Sequence, residues 1–122
     1  LHIEPNQFFI GGGVWHPEKE ELKAVRQEIM FQPEKYSATL NSVVKNGFTI
    51  MEEDKLKTGP KDFDKESPHI ELIKYKSYIL SRQLSKKELN SPDVASIVAN
   101  YFSQLYPYTS FLNTAMDFMG NE

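Results

Sequence analysis

The hydrophobic and polar positions of the chain fall into short alternating runs near its start and helical stripes over most of the remainder. Leu1-His2-Ile3-Glu4 alternates apolar with polar, the pattern of a half-buried strand. Pro5-Asn6 supplies turn chemistry, and Gln7 to Trp15 reads as a second strand, so a hairpin over residues 1–15 is the first predicted element. Pro17 stands at the expected first position of a helix, with Glu18, Glu20 and Glu21 in its first turn and Leu22, Val25 and Ile29 on one face. Pro33 opens a second helix whose stripe is Tyr36, Leu40, Val43 and Val44, and Asn46-Gly47 closes it. Periodicity then fails from Phe48 to Ser67, where Gly59, Pro60 and scattered charges predict a long ordered loop.

Past the loop, Ser67-Pro68 caps a short helix carrying Ile70 and Ile73, and Tyr75 to Leu84 reads as a strand. Ser85 with Glu88 three residues on is a capping-box pattern. Ser91-Pro92 starts a helix with Val94, Ile97, Val98, Tyr101, Phe102 and Leu105 at three- and four-residue steps. Pro107 is expected to end it, with Phe111, Leu112, Ala115, Met116 and Met119 on a final separate helix. The predicted class is α+β: a small antiparallel or mixed sheet, made of the N-terminal hairpin and the strand near 75–84, packed with about five helices.

Length sets the scale of that architecture. A chain of 122 residues supports one core, so residues 1–122 read as a single domain. A start inside a strand, with no initiator Met, reads as the C-terminal part of a longer protein whose open strand edge could pair with a second copy. The absence of Cys removes disulfides, thiolate metal sites and a cysteine nucleophile, and is compatible with a reducing cytoplasm. No apolar run approaches the length of a bilayer span, so no membrane partner is expected.

Charge changes the picture more than composition does. Residues 1–54 carry a net −4, residues 55–87 a net +5 and residues 88–122 a net −4, within an overall −3. A basic middle in an acidic chain focuses a local positive field that the net charge hides. On the predicted strand, Lys76 and Arg82 share a face with Tyr78 and Leu80, a mixture that binds phosphates and stacks a base. Solvated lysines that keep a sheet face soluble are the competing reading. The negative net charge does not support general nucleic-acid coating.

The other motifs carry less. Gly11-Gly12-Gly13 between a strand and a helix invites a phosphate cradle, yet no Gly-Lys-Ser/Thr follows and three glutamates crowd the next helix start. Glycines that permit a bulge or a close backbone approach are the simpler reading. His2 and Glu4 share a strand face, but His16 and His69 lie elsewhere, so neither a metal site nor a cofactor is expected. Asp62 and Asp64 sit among Lys61 and Lys65, where local ion pairing is the expected role. No nucleophile elbow or catalytic set is present.

Three stretches together resemble a known family. They are Phe9-Ile10-Gly11-Gly12-Gly13-Val14-Trp15-His16-Pro17, Leu22 to Ile29, and the run from Leu56-Lys57 through Pro60-Lys61-Asp62-Phe63-Asp64-Lys65, Pro68-His69-Ile70-Glu71-Leu72 and Lys76-Ser77-Tyr78 to Arg82. The chain resembles the C-terminal half of the bacterial conserved hypothetical proteins grouped as domain of unknown function 2461, from its first residues to about Leu112. The resemblance implies longer relatives with an upstream motif rich in Arg, Asp, Lys and Tyr, and it implies no activity. Thr58-Gly59 departs from the charged or Pro-containing pair expected before Pro60. The hallmark polar positions it retains are Lys57, Lys61, Asp64, Lys65, Lys76, Ser77 and Arg82, which coincide with the basic segment.

The expected ligand site is therefore Lys57, Lys61, Asp64, Lys65, Lys76, Tyr78 and Arg82, taking an anionic partner, phosphate-bearing or nucleic acid. Two alternatives stand beside it. One is an enzyme whose catalytic groups lie mainly upstream, with Asp64 and Lys76 contributing; the other is an interaction domain that uses the aromatic C-terminal helices.

Overall fold

A computed structural model describes residues 2–4, 7–53 and 55–120. The order of elements is β1 (His2–Glu4), β2 (Gln7–Val14), α1 (Lys19–Phe31), α2 (Pro33–Val44), β3 (Thr49–Ile50), a 3-10 turn (Ile70–Ile73), β4 (Tyr78–Leu84), α3 (Lys86–Leu89) and α4 (Val94–Gly120). Four strands form one antiparallel sheet in the order β1-β2-β4-β3. The class is α+β, and the sheet has no parallel pair among the described residues. The Pro5–Asn6 turn of the predicted hairpin lies outside the described residues, as do the side chains of His2, Glu4 and Met119.

The long central pair, β2 with β4, runs in unbroken register from Phe8 opposite Leu84 to Val14 opposite Tyr78. Directly opposed residues share a face, so Phe8, Ile10, Gly12 and Val14 lie on the same side as Leu84, Arg82, Leu80 and Tyr78. That side is the core: Ile10, Tyr78 and Leu80 are fully buried, together with Val25 and Ile29 of α1, Tyr36 and Val43 of α2, and Tyr108 and Leu112 of α4. The helices lie against it, and α4 comes closest at Gly12. A Cβ there would sit 2.9 Å from Leu105 Cδ2, so a residue with no side chain lets α4 reach the strand. At Gly13 the backbone has φ +130, and a Cβ would meet the Tyr78 carbonyl oxygen at 1.9 Å. The glycine run thus serves close approach, and no bulge interrupts the pairing.

Several boundaries differ from the periodic pattern, each for a local reason. Helix α1 begins at Lys19, two residues after Pro17, because Glu18 is still extended (φ −63, ψ 160) and its N–H donates to Glu21 Oε1 (3.0 Å). The strand predicted from Tyr75 begins at Tyr78: the Lys74 carbonyl accepts from Leu56 N–H (2.8 Å) and the Tyr75 carbonyl from Arg26 Nη2 (2.9 Å), so neither joins the ladder. Ser91-Pro92 forms a turn, with Ser91 Oγ accepting from Asp93 N–H (3.0 Å), and α4 follows from Val94. The capping box at α3 forms as its spacing predicts, Glu88 N–H donating to Ser85 Oγ and Ser85 N–H to Glu88 Oε1.

The largest departure is at Pro107. The two expected C-terminal helices are one 27-residue helix that runs through it. Proline removes the bond to Ser103, but Ser103 and Pro107 are both exposed, so water can take the freed carbonyl while Leu105, Tyr108 and Leu112 hold the buried face. Strand β3 was hidden in the loop after Phe48; two residues long, it exists through its pairing of Thr49 with Ser81 and Ile50 with Leu80.

Candidate functional site

The basic segment is divided by the fold into two parts. At one end of β4, Arg82 joins three elements: Nη1 donates to the Asn46 carbonyl (2.7 Å), Nη2 to Tyr101 Oη (3.0 Å), and the guanidinium stacks 4.4 Å from the centre of the Tyr101 ring. Tyr101 passes its own proton toward Glu88, whose carboxyl is held below its usual range by that hydrogen bond and by the Ser85 N–H. Gly47, at φ +95, makes room for the arginine, since a Cβ there would lie 1.7 Å from Nη1. Arg82 is thus committed to a structural clamp.

Tyr78 cannot serve as a stacking platform. Its ring is 0% exposed, packed between Tyr36 and Tyr75, and its hydroxyl donates to the Leu72 carbonyl (3.1 Å). The alternation predicted the right companions for Tyr78 and Leu80, but their face is the one α4 covers. Lys76 lies before the strand and does not share that face.

Lys57, Lys61, Lys65 and Lys76 are exposed, and Lys76 lies just before the opposite end of β4. The bond from Leu56 N–H to the Lys74 carbonyl ties the loop carrying the first three to the segment carrying the fourth. The loop is packed as well as tied: Pro60 is buried, Phe63 is half-buried, and Gly59 lies against Ile70. Asp64 is a turn residue, its Oδ1 accepting from Glu66 N–H (2.9 Å). Asp62 faces Lys23 of α1 at 4.0 Å, so the expected pairing of Asp62 and Asp64 with Lys61 and Lys65 is replaced by these contacts. Other charges nearby are matched: Lys74 pairs with Glu71 (2.7 Å), and Lys55 pairs with Glu52 (3.8 Å) and lies over the Tyr75 ring.

The far side of the sheet carries a second feature. Phe9, Gly11 and Gly13 of β2, with Ile79 and Ser81 of β4, face away from the helices. With Trp15, Met51 and Glu53 they line an open groove of about 740 Å³. Trp15 is 65% exposed and meets His16 edge to face, ring centroids 4.4 Å apart. His16 has φ 45, a left-handed backbone fixed by its N–H donating to buried Ser77 Oγ (2.8 Å). Among the described residues, no three His, Asp or Glu side chains gather as metal ligands, and no helix is long and apolar enough to cross a membrane.

A family model of conserved hypothetical proteins matches residues 1–111, from the first strand to the middle of α4. The chain belongs to that family, DUF2461. The match covers the glycine run, the lysine loop and the clamp of this DUF2461 chain alike, so membership favours none of the three as a site. Comparison with curated proteins and with solved structures returned no match.

Sequence reasoning missed the groove. Its signals were present in a solvent-facing Trp15 and in Phe9 alternating with Ile10, but the register of β2 on β4 and the third strand were needed to assemble it.

Proposed function

We propose that this DUF2461 chain binds an anionic, phosphate-bearing ligand through Lys57, Lys61, Lys65 and Lys76, in a cytoplasmic setting. The observation that carries the reading is the Leu56–Lys74 tie, which holds a packed loop bearing three lysines beside the segment bearing the fourth. Nearby carboxylates that would compete for these lysines are partly occupied, Glu71 by Lys74 and Asp62 by Lys23. Exposed ammonium groups act as point charges with three donors each, so the attraction falls within a Debye length of about 8 Å at physiological salt.

Titration with inorganic triphosphate, read by calorimetry at low and high salt, tests this. The expected result is saturable binding that weakens with salt, and a further loss of about tenfold in the Lys57→Ala/Lys76→Ala double variant. The Lys86→Ala/Lys87→Ala variant, altered on α3 at the other end of β4, should bind as the parent does. Absence of binding at low salt, or equal loss in both double variants, would reject the site. Tighter binding of a short oligonucleotide than of triphosphate would make nucleic acid the ligand.

A further inference from the structure

Beside the polar Thr49, Ser81 and Gln83, the bare face of the sheet carries large apolar residues that the core does not require. Gly12 is explained by α4 and Gly13 by its positive φ, but Phe9, Trp15 and Ile79 point away from every helix. On a sheet with one solvated face, those positions are normally polar. We propose that the groove they form is a binding site for a planar aromatic ring carrying a protonated amine.

The shape follows from the glycines. With no side chains at Gly11 and Gly13, the floor is bare backbone, and a flat ring can lie against it between Phe9 and Trp15. At about 740 Å³ the groove falls within the range of small-molecule sites. Met51 adds a polarizable thioether, which favours contact with a ring.

The charge follows from the rim. Among the described residues that line the groove, Glu53 alone is ionisable, and Ser81 adds a hydroxyl that accepts or donates. An exposed indole is the best aromatic partner for a cation, so Trp15 and Glu53 select the same sign. The left-handed His16, held by Ser77, fixes where the chain leaves β2 and therefore where Trp15 stands. A non-glycine residue in this conformation costs free energy that the surrounding structure must sustain. The site shares no residue with the lysine loop and opposes it in sign, so it stands independently of the phosphate reading.

Trp15 is the only tryptophan in the chain, so its indole N–H gives a single magnetic-resonance signal from the groove. The probes are 1-naphthylmethylamine, its neutral alcohol and 1-naphthoate. A saturable shift with the amine is expected, about tenfold weaker with the carboxylate. Glu53→Gln, an exposed substitution, should bring the amine down to the level of the alcohol. Ser81→Leu, strand-compatible and pointing into the groove, should abolish binding of the ring while far-ultraviolet dichroism stays unchanged. The proposal is overturned by no saturable shift, by equal affinity for amine and carboxylate, or by an amine affinity that Glu53→Gln leaves intact. It is overturned as well if the indole signal moves with protein concentration alone, which would show a second copy covering this face.

Discussion

The two faces of one sheet are built from alternate residues of the same strands, yet they solve different problems. On the helix side, Ile10, Tyr78, Leu80 and Leu84 are packed to near-zero exposure, and even the hydroxyls of Tyr36, Tyr78 and Tyr108 find partners, Tyr36 and Tyr108 bonding each other at 3.0 Å. On the bare side, Phe9, Ile79 and Trp15 keep part of their surface in water around a floor of glycine. Apolar residues on the first face hold the fold together. Those on the second are available for something else, since removing them opens no cavity in the core.

The sharpest test of this contrast is alkaline pH. Burial pushes the hydroxyls of Tyr36, Tyr78 and Tyr108 above their ordinary value of 10.0, and all three belong to the covered side. A group whose folded value is raised contributes stability below its unfolded value and loses it as pH climbs. The three should together cost about 4 kcal/mol at pH 11 relative to pH 8, read from urea unfolding at the two values. A flat profile up to pH 11 would mean the covered face admits water.

Neighbours on β4 test the same contrast by truncation. Leu80→Ala should cost about 3 kcal/mol, and Ile79→Ala less than about 1 kcal/mol, by urea midpoint. Similar losses would erase the distinction between the faces. A smaller effect than that of Leu80→Ala is expected at their junction: Ser77→Ala leaves the His16 N–H without its acceptor, should cost about 1 kcal/mol, and should shift the Trp15 emission maximum. An unchanged spectrum would separate Trp15 from the Ser77–His16 contact.

Much of this fold was legible in local pattern. Val25 and Ile29, Tyr36 and Val43, and the Ser85–Glu88 box stand where their spacing places them. What local pattern could not supply was the destination of a face. Alternation groups Tyr78, Leu80 and Arg82 together, but only the landing of α4 decides that this group is the interior, and that decision turned a proposed stacking ring into core. Strand β3 escaped for the same reason, because two residues carry no periodicity and are defined by a partner thirty residues away. Of the candidate site, the lysines were legible by counting charge. The separation of Arg82 from them was not, because it depends on Asn46, Gly47 and Tyr101 meeting in space.

Pro107 has a consequence for how the molecule opens. It interrupts the hydrogen-bond ladder of α4 between Leu105, which rests on the sheet at Gly12, and Tyr108 and Phe111, which rest on Tyr36 of α2. A helix with a missing rung need not unzip as one piece. The half on the sheet and the half on α2 can therefore exchange their amide hydrogens as two cooperative units, each guarded by its own neighbour, with the seam between them at a single imide.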